Sequence, residues 1–554
     1  MGPKTTTQAP ERALMKALRL HLEASLLPGE GLADTAAMDE AAGFLLGAAR
    51  TRAAGQSLVQ IESASDGRRH LRIAIINDDM PFLVDSIAAA MAALGLGIDL
   101  LLHPVIAVER DDTGAITALG KPGAKEAPGA SSARPESLIY CETPRVDARQ
   151  RRDLLEALQA ALADVHAAVS DWPKMQAAMA EDTALTGAAD AEAAALLGWL
   201  NGGKLTQLGH LTRHCDGRET DVLGICRSSS RELLAEISLQ RAFEWFDDHD
   251  AAGTPRALLM IKSNVQSRVH RASPLDLVIV PHRADGKTAA LSIHAGLWTS
   301  AAMNARPGEV PVLRALLSGT AEQLKFDPAG HNGKALVHAF TSLPNDLLTA
   351  FDPACVSTLV TAKMALTDRP RPRVVMVRAT LERHVFAFVW LPRDQLSTDV
   401  RLQIQAMLLA TPGAGLLDWS LEVESGSLAL LRFLIDVRAC GDLPSDAGIE
   451  AQLVELLRGW NEAVATHLAG FEEEGRAAAL AARYAPAFPT GYRLTYGPEE
   501  AARDIARLRP LALGDGEGEA QAARAARLYR LAGDGADVLR LKVYALEGEL
   551  ALSD

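Results

Sequence analysis

A chain of 554 residues, 48% of them hydrophobic, carries more apolar surface than one core can use, because a single core stops growing at about 250–300 residues; three or more domains are expected. The formal charge of -14, from 70 acidic and 56 basic side chains with no Lys/Arg run, disfavours a nucleic-acid partner.

Residues 1–69 read as a helical segment, with Leu14, Leu18, Leu20, Leu22 and Leu26 only loosely periodic and the tail before Glu11 disordered. From residue 70 the pattern sharpens. LRIAIIN (71–77) reads as a strand, NDDMP (77–81) as a turn, and FLVDSIAAAMAALG (82–95) as a helix with Leu83, Ile87, Met91 and Leu94 on one stripe. Asp78 or Asp79 is expected to cap that helix, with Pro81 in its first turn. IDLLLHPVIAVERD then reads as one buried strand, residues 120–136 as a surface loop, SLIYCET (137–143) as a strand and 152–169 as an amphipathic helix. This order begins a ferredoxin-like split βαβ unit over about 70–170.

A helical connector is expected at 173–203, and then five strand-like runs: KLTQLGHLTR, DVLGICR, ALLMIKSN, LDLVIVPHR and AALSIHAGL. Polar turns at Asp216-Gly217 and Asp285-Gly286 make the sheet antiparallel, with candidate helices at 312–324 and 346–351. Past the hinge DRPRPR (368–373) the βαββ order returns: VVMVRAT, HVFAFVWLP, a helix over 397–411 capped by Ser397 or Thr398, DWSLEVES, LALLRFLIDV and a helix over 447–470. Residues 471–526 read as a helical and acidic linker, and GDGEGE (514–519) as a flexible loop. The last segment reads as two strands of a further small domain, which two strands alone cannot stabilise; the native polypeptide is expected to continue past Asp554.

The chemistry-bearing patterns are few. No Gly-x-Gly-x-x-Gly turn joins a strand to a helix, so no dinucleotide site is expected; nor is there a Walker phosphate loop, a Gly-x-Ser-x-Gly elbow or a His-Glu-x-x-His pair. His210 and His214 stand four apart, but in a strand, and no metal is expected there. Five cysteines without a Cys-x-x-Cys pair argue against a disulfide framework or structural zinc. Residues 82–102 carry Asp85 and Asp99, unlike a membrane span of about 20 apolar residues, and no secretory signal opens the chain; no membrane partner and a cytoplasmic location are expected.

Two clusters stand out. Asn77, Asp78 and Asp79 could meet the ammonium group of an amino-acid effector while open helix amides take its carboxylate, although a cap and a turn would also explain them. Arg268, His270 and Arg271, directly before a strand, could receive an anion or an acidic partner, or form a solvated edge.

NDDMPFLVDS followed by a strand containing HPV, then SRVHR, FVWLPRDQLSTDVRLQIQ, YAPAFPTGYRLTYGPEEAARDI and LRLKVYALEGELALSD, in this order, resemble the amino-terminal region of the large bacterial NAD-specific glutamate dehydrogenases. The resemblance covers 70–554. It implies an α+β array of ferredoxin-like, ACT-type units: a first ACT-like domain at 70–172, a PAS-like antiparallel sheet at 204–350, a helix and hinge at 351–372, a second ACT-like domain at 373–470, and the start of a third at 527–554. It also implies a homo-oligomeric parent enzyme that oxidises L-glutamate to 2-oxoglutarate and ammonia with NAD. Its dinucleotide domain and catalytic Lys and Asp would lie after Asp554, so these residues are expected to hold no catalytic residue, cofactor or metal. Expected partners are that catalytic region, other subunits and an amino-acid effector. A free-standing ACT/PAS-type sensor or interaction protein is the alternative.

Overall fold

A computed structural model of the chain describes residues 8–26, 35–65, 69–121, 133–228, 232–367, 369–423, 426–441, 443–457, 459–489, 492–493, 496–513, 524–530 and 538–545. The GDGEGE segment, most of the loop expected at 120–136 and the tail before Gln8 lie outside the described residues.

The first unit comprises α1 (Gln8–Ser25), α2 (Thr35–Ala49), β1 (Leu58–Ser65), β2 (Arg69–Asp78), α3 (Leu83–Ala93), β3 (Leu100–Leu102), β4 (Val105–Arg110), β5 (Ile116–Leu119), β6 (Arg134–Pro144) and α4 (Ala148–Gly187). Its sheet is antiparallel in the order β1-β2-β6-β4-β5, with β3 also on β6. Ile73 and Ile75 of β2 pack on α3 and α4, whereas Ala74 and Ile76 pack on α1 and α2. Burial on both faces is why LRIAIIN reads as a continuous apolar run rather than an alternating one.

Three sequence expectations change here. The segment expected to be helical as far as residue 69 contains β1, whose single buried residue, Ile61, left almost no periodic signal. The expected strand over 98–111 is two, broken at His103-Pro104, because a proline has no N–H for the ladder. No aspartate caps α3: its N-cap position is Phe82, at φ 72°, without a side-chain cap.

Helix α4 runs through Pro173, past the point at which the sequence suggested a connector. An interior proline costs about 3 kcal/mol, but Met175 and Met179 beyond it are fully buried, which offsets that loss. After α5 (Ala191–Trp199) the middle sheet forms from β7 (Leu205–His214), β8 (Glu219–Gly224), β9 (Leu259–Gln266), β10 (Pro274–Ala284) and β11 (Lys287–Trp298), in the antiparallel order β8-β7-β11-β10-β9. Helix α6 (Glu236–Ala251) crosses between its second and third strands. Asp285 and Gly286 both have positive φ, the conformation that lets a two-residue hairpin follow the sheet twist.

One face of the middle sheet shares a core with α3, α4 and α6; the other, through Val278, Val280 and Trp298, shares one with the helices α7 (Ser300–Met303), α8 (Leu313–Gln323), α9 (His331–Thr341), α10 (Asn345–Ala350) and α11 (Pro353–Thr367). That second core continues into the next sheet through Phe386, Phe388 and Trp390.

The second unit holds β12 (Arg373–Arg378), β13 (His384–Pro392), α12 (Thr398–Leu408), β14 (Gly415–Val423), β15 (Leu428–Asp436) and α13 (Asp446–Leu457), with sheet order β12-β13-β15-β14. Ser397 caps α12 by accepting from the Val400 amide, as its position before the apolar run suggested. Both units depart from the expected βαββαβ arrangement in the same way. The edge place beside the first central strand is filled by the strand that precedes it, β1 or β12, and the second helix, α4 or α13, packs on the sheet. The single helix expected over 447–470 is two, α13 and α14 (Trp460–Leu468); α14 packs with α15 (Glu474–Tyr484) and α16 (Pro498–Leu513), and the hairpin of β16 (Arg524–Tyr529) and β17 (Arg540–Ala545) follows.

Candidate functional site

The Asn77–Asp79 cluster lies at the end of β2, inside a polar network rather than on an open loop. Asn77 is fully buried; its Oδ1 faces Ser57 Oγ and His166 Nε2, each at 2.7 Å, and its Nδ2 donates to the Asp78 carbonyl. Asp78 receives the Arg52 guanidinium at 2.6 Å, and Asp79, which is exposed, accepts from Ser137 Oγ at 2.8 Å. Beneath them Arg52, its side chain 1% exposed, also pairs with the buried Glu136 at 3.1 Å, and Arg110 grips Glu136 with two nitrogens at 2.7 and 2.8 Å. Gly114 closes the network. Its φ is +80°, and a Cβ there would lie 2.4 Å from the Arg52 carbonyl oxygen.

The second cluster meets the same segment from the other side. His270, at φ 68°, puts Nδ1 2.8 Å from Asp85 Oδ2, donates its backbone N–H to Ser86 Oγ, and packs its ring 5.5 Å from that of Phe82. Arg268, largely exposed, reaches Asp164 of α4 at 3.6 Å, and Arg271 donates to the Trp298 carbonyl oxygen at 2.8 Å. NDDMPFLVDS and SRVHR thus form one seam between the first unit and the middle sheet.

The middle sheet meets the second unit along its edge strand β9. Asn264 Nδ2 donates to Asp436 Oδ2 at 2.7 Å, its Oδ1 accepts from the Arg383 guanidinium at 2.5 Å and faces His384 Nε2 at 2.9 Å, and Gln266 donates to the Leu417 carbonyl. Burial, reinforced by the Arg383 charge, pushes His384 down to about 3.

Sequence reading missed a buried hub in the middle sheet. The β7–β11 register sets His294 opposite His210, and Asp182 of α4 arrives from above. Ser292 Oγ donates to Asp182 Oδ2 at 2.5 Å and sits 3.0 Å from His210 Nε2; His294 Nε2 lies 2.7 Å from the same carboxylate oxygen and His282 Nε2 2.6 Å from the other. Burial works to raise Asp182, but hydrogen bonds from His282 and His294 hold it well below the usual carboxylate range. Burial likewise lowers His210 to about 4. Asp182, His210 and His294 have the donor types of a metal site and are the one such group among the described residues. However, an ion needs about 2.0–2.2 Å to each ligand, and the Ser292 hydroxyl already fills the space among the three. With His282 on the other carboxylate oxygen, the five side chains form a hydrogen-bonded hub. His214 contributes nothing to it, contacting Thr220 instead.

No helix among the described residues is long and apolar enough to cross a membrane. Two ferredoxin-like units flanking an antiparallel sheet, welded through shared cores and polar seams, make this an array of ACT-type modules. Family models give the same answer: residues 32–158 match the glutamate dehydrogenase ACT1 domain, 373–461 its ACT2 domain, and 467–511 its helical motif 2. The ACT1 match takes in α2 and β1. Curated relatives include the NAD-specific glutamate dehydrogenases of Halomonas elongata, 29% identical over 88% of this chain, and of Pseudomonas aeruginosa and Mycobacterium tuberculosis, each 26% identical over 88%. The chain spans 30% of the length of each. By these matches the chain is similar to the amino-terminal, ACT-bearing region of the large NAD-specific glutamate dehydrogenases.

Proposed function

We propose that these residues are the regulatory and assembly region of an NAD-dependent glutamate dehydrogenase, with the oxidation of L-glutamate to 2-oxoglutarate and ammonia performed by a catalytic part that they do not contain. The observation that carries this reading is the placement of residues 268–271, a four-residue segment that touches the first ACT unit through His270 and the middle sheet through Arg271. Such a segment links the modules mechanically, which regulation requires, whereas the sequence carries no Gly-x-Gly-x-x-Gly turn to bring a pyrophosphate close to backbone amides.

The middle sheet is PAS-like in this reading, supported by its strand order β8-β7-β11-β10-β9 with a helical crossover after the second strand. Partners are other subunits and the catalytic part, in the cytoplasm. An amino-acid effector approaching the first unit would meet Asp78 and Asp79 at the rim of the network rather than the enclosed Asn77.

A spectrophotometric assay tests the proposal. The purified 554-residue chain is expected to reduce no NAD with L-glutamate, and a chimera in which it replaces the corresponding region of the Pseudomonas aeruginosa relative is expected to assemble and oxidise glutamate. Glutamate-dependent NAD reduction by the 554 residues alone would overturn it.

A further inference from the structure

A cleft of about 290 Å³ lies between the middle sheet, with its helices α7 and α10, and the second ACT unit. Binding pockets for small molecules run from about 300 to 1,000 Å³, so this one suits a ligand of few heavy atoms. Its floor is a buried ion triad. Lys262 Nζ on β9 lies 2.6 Å from Asp276 Oδ1 and 2.7 Å from Asp346 Oδ2. Around the rim stand Arg271, which precedes β10, Asp418 on β14 and Arg432 on β15.

Two of these polar groups are incompletely used. Asp346 is 6% exposed, and its second oxygen, Oδ1, is buried without a hydrogen-bond partner among the described residues. The Arg432 guanidinium gives one nitrogen to Glu422 at 2.7 Å, but its Nε is equally buried and unpartnered. A buried acceptor and a buried donor left open in one molecule each cost about 1–3 kcal/mol, a cost a ligand bearing both kinds of group would relieve.

The charge balance narrows the ligand. Lys262, Arg271 and Arg432 face Asp276, Asp346, Asp418 and Glu422, so the cluster is close to neutral and neither a dianion nor a diamine would be compensated. Burial also raises Asp418 and Asp276, which lessens the negative side further. The rest of the lining mixes Ser273, Ser300, Asn304 and Ser420 with the apolar Met303, Leu347, Phe386, Trp419 and Leu434.

We propose that this cleft binds a small α-amino acid with an apolar side chain, its carboxylate facing Arg271 and Arg432, its ammonium group facing Asp418 and Asp346, and its side chain against Phe386 and Leu347. The site deepens the regulatory reading and rests on it. Arg271 belongs to the segment whose His270 contacts Asp85 of the first ACT unit, so closing the cleft on a ligand loads the seam with the first unit as well. Occupancy then bears on how all three modules sit together.

Isothermal titration of the purified 554-residue chain with L-leucine and L-methionine tests the assignment, with 2-hydroxy-4-methylpentanoate as the probe lacking the ammonium group and isoamylamine as the probe lacking the carboxylate. Saturable binding of at least one amino acid is expected, with neither control binding. A charge-assisted hydrogen bond contributes about 1.5–3 kcal/mol, so Asp418→Asn and Arg271→Gln should each weaken binding by about tenfold or more, while the unliganded melting temperature of Asp418→Asn stays at the parent value. The assignment falls if neither amino acid binds up to about 10 mM, which is weaker than about 3 kcal/mol of binding. It also falls if the hydroxy acid binds as tightly as leucine, or if Asp418→Asn leaves the affinity unchanged. A chain that binds no zwitterion but still supports glutamate oxidation in the chimera removes the cleft as a site and leaves the regulatory reading intact.

Discussion

His270 Nδ1 lies 2.8 Å from Asp85 Oδ2 although 185 residues separate the two in sequence. Both walls of this contact are conformationally strained, His270 at φ 68° and Phe82 at φ 72°, in a region that costs a non-glycine residue about 1–2 kcal/mol. Strain of this kind persists only where surrounding contacts over-determine it, here the Ser86 hydroxyl on the His270 amide and the Phe82 ring on the imidazole.

His270→Gly and His270→Ala both delete the imidazole, so comparing them isolates the backbone. The alanine variant should be the less stable by about 1 kcal/mol, because glycine adopts positive φ without a Cβ clash. Urea denaturation followed by circular dichroism measures the difference; equal midpoints would mean that the turn relaxes without cost.

The Arg52–Glu136–Arg110 network makes a sharper prediction about the Asn77–Asp79 region. Glu136→Ala leaves two guanidinium groups, one of them enclosed, without their shared carboxylate, and should cost about 3–5 kcal/mol. Asp79→Ala, at the exposed rim, should cost less than about 1 kcal/mol. Chemical denaturation ranks the two; a Glu136→Ala loss no larger than that of Asp79→Ala would show that the network carries no stability.

Two histidines set the acid limb of stability. His210 is lowered to about 4 and His384 to about 3, each chiefly by burial, from an ordinary value near 6.5. Below pH 6.5 the unfolded chain binds protons that these folded rings refuse, so stability falls as pH drops from about 6.5 toward about 4, by about 3 kcal/mol per ring. His282 is raised, first through its hydrogen bond to Asp182, so its contribution is complete below 6.5 and fades as pH climbs through its higher folded value; it does not offset the acid loss. His384→Gln retains a donor for Asn264 and should flatten the slope of stability against pH by nearly one proton over that window. An unchanged slope would exclude His384 from the acid response.

How much of this was legible depended on how local the information is. All five middle strands were readable because each apolar run is bounded by a turn signal, and Asp285-Gly286 specifies its hairpin within two residues. Strand β1 was not, because an edge strand with one buried residue has no periodicity to read. Helix α4 continued past the end expected at 169 and through Pro173, since Met175 and Met179 beyond it are fully buried. His210 was noticed with the wrong partner: its neighbour in space is His294 through the β7–β11 register, not His214 four residues on. Lys262 inside ALLMIKSN and Asp276 inside LDLVIV did leave a trace, since a charge within a buried apolar run demands a counter-charge. Sequence alone does not say that the two meet each other and Asp346.

At the far end of the chain, Glu500 and Asp504 of α16 are joined to the final hairpin by Lys542, 2.8 Å from each, and by Arg527, 2.9 Å from Glu500. Tyr544 adds a hydroxyl on Asp504 at 2.7 Å. The hairpin presents Leu528 and Leu541 to solvent, so little apolar burial holds it and this polar joint is its main attachment to the helical motif. Lys542→Met removes the cation shared by two partly buried carboxylates and should cost about 1–3 kcal/mol locally, which raises the open population of the hairpin by about tenfold or more. Limited trypsinolysis at Arg527 and Arg530 reads that opening directly, and a second substitution, Asp504→Asn, should restore part of the protection by removing one of the stranded charges. Cleavage at the parent rate in Lys542→Met would mean that the hairpin is held by contacts other than this joint.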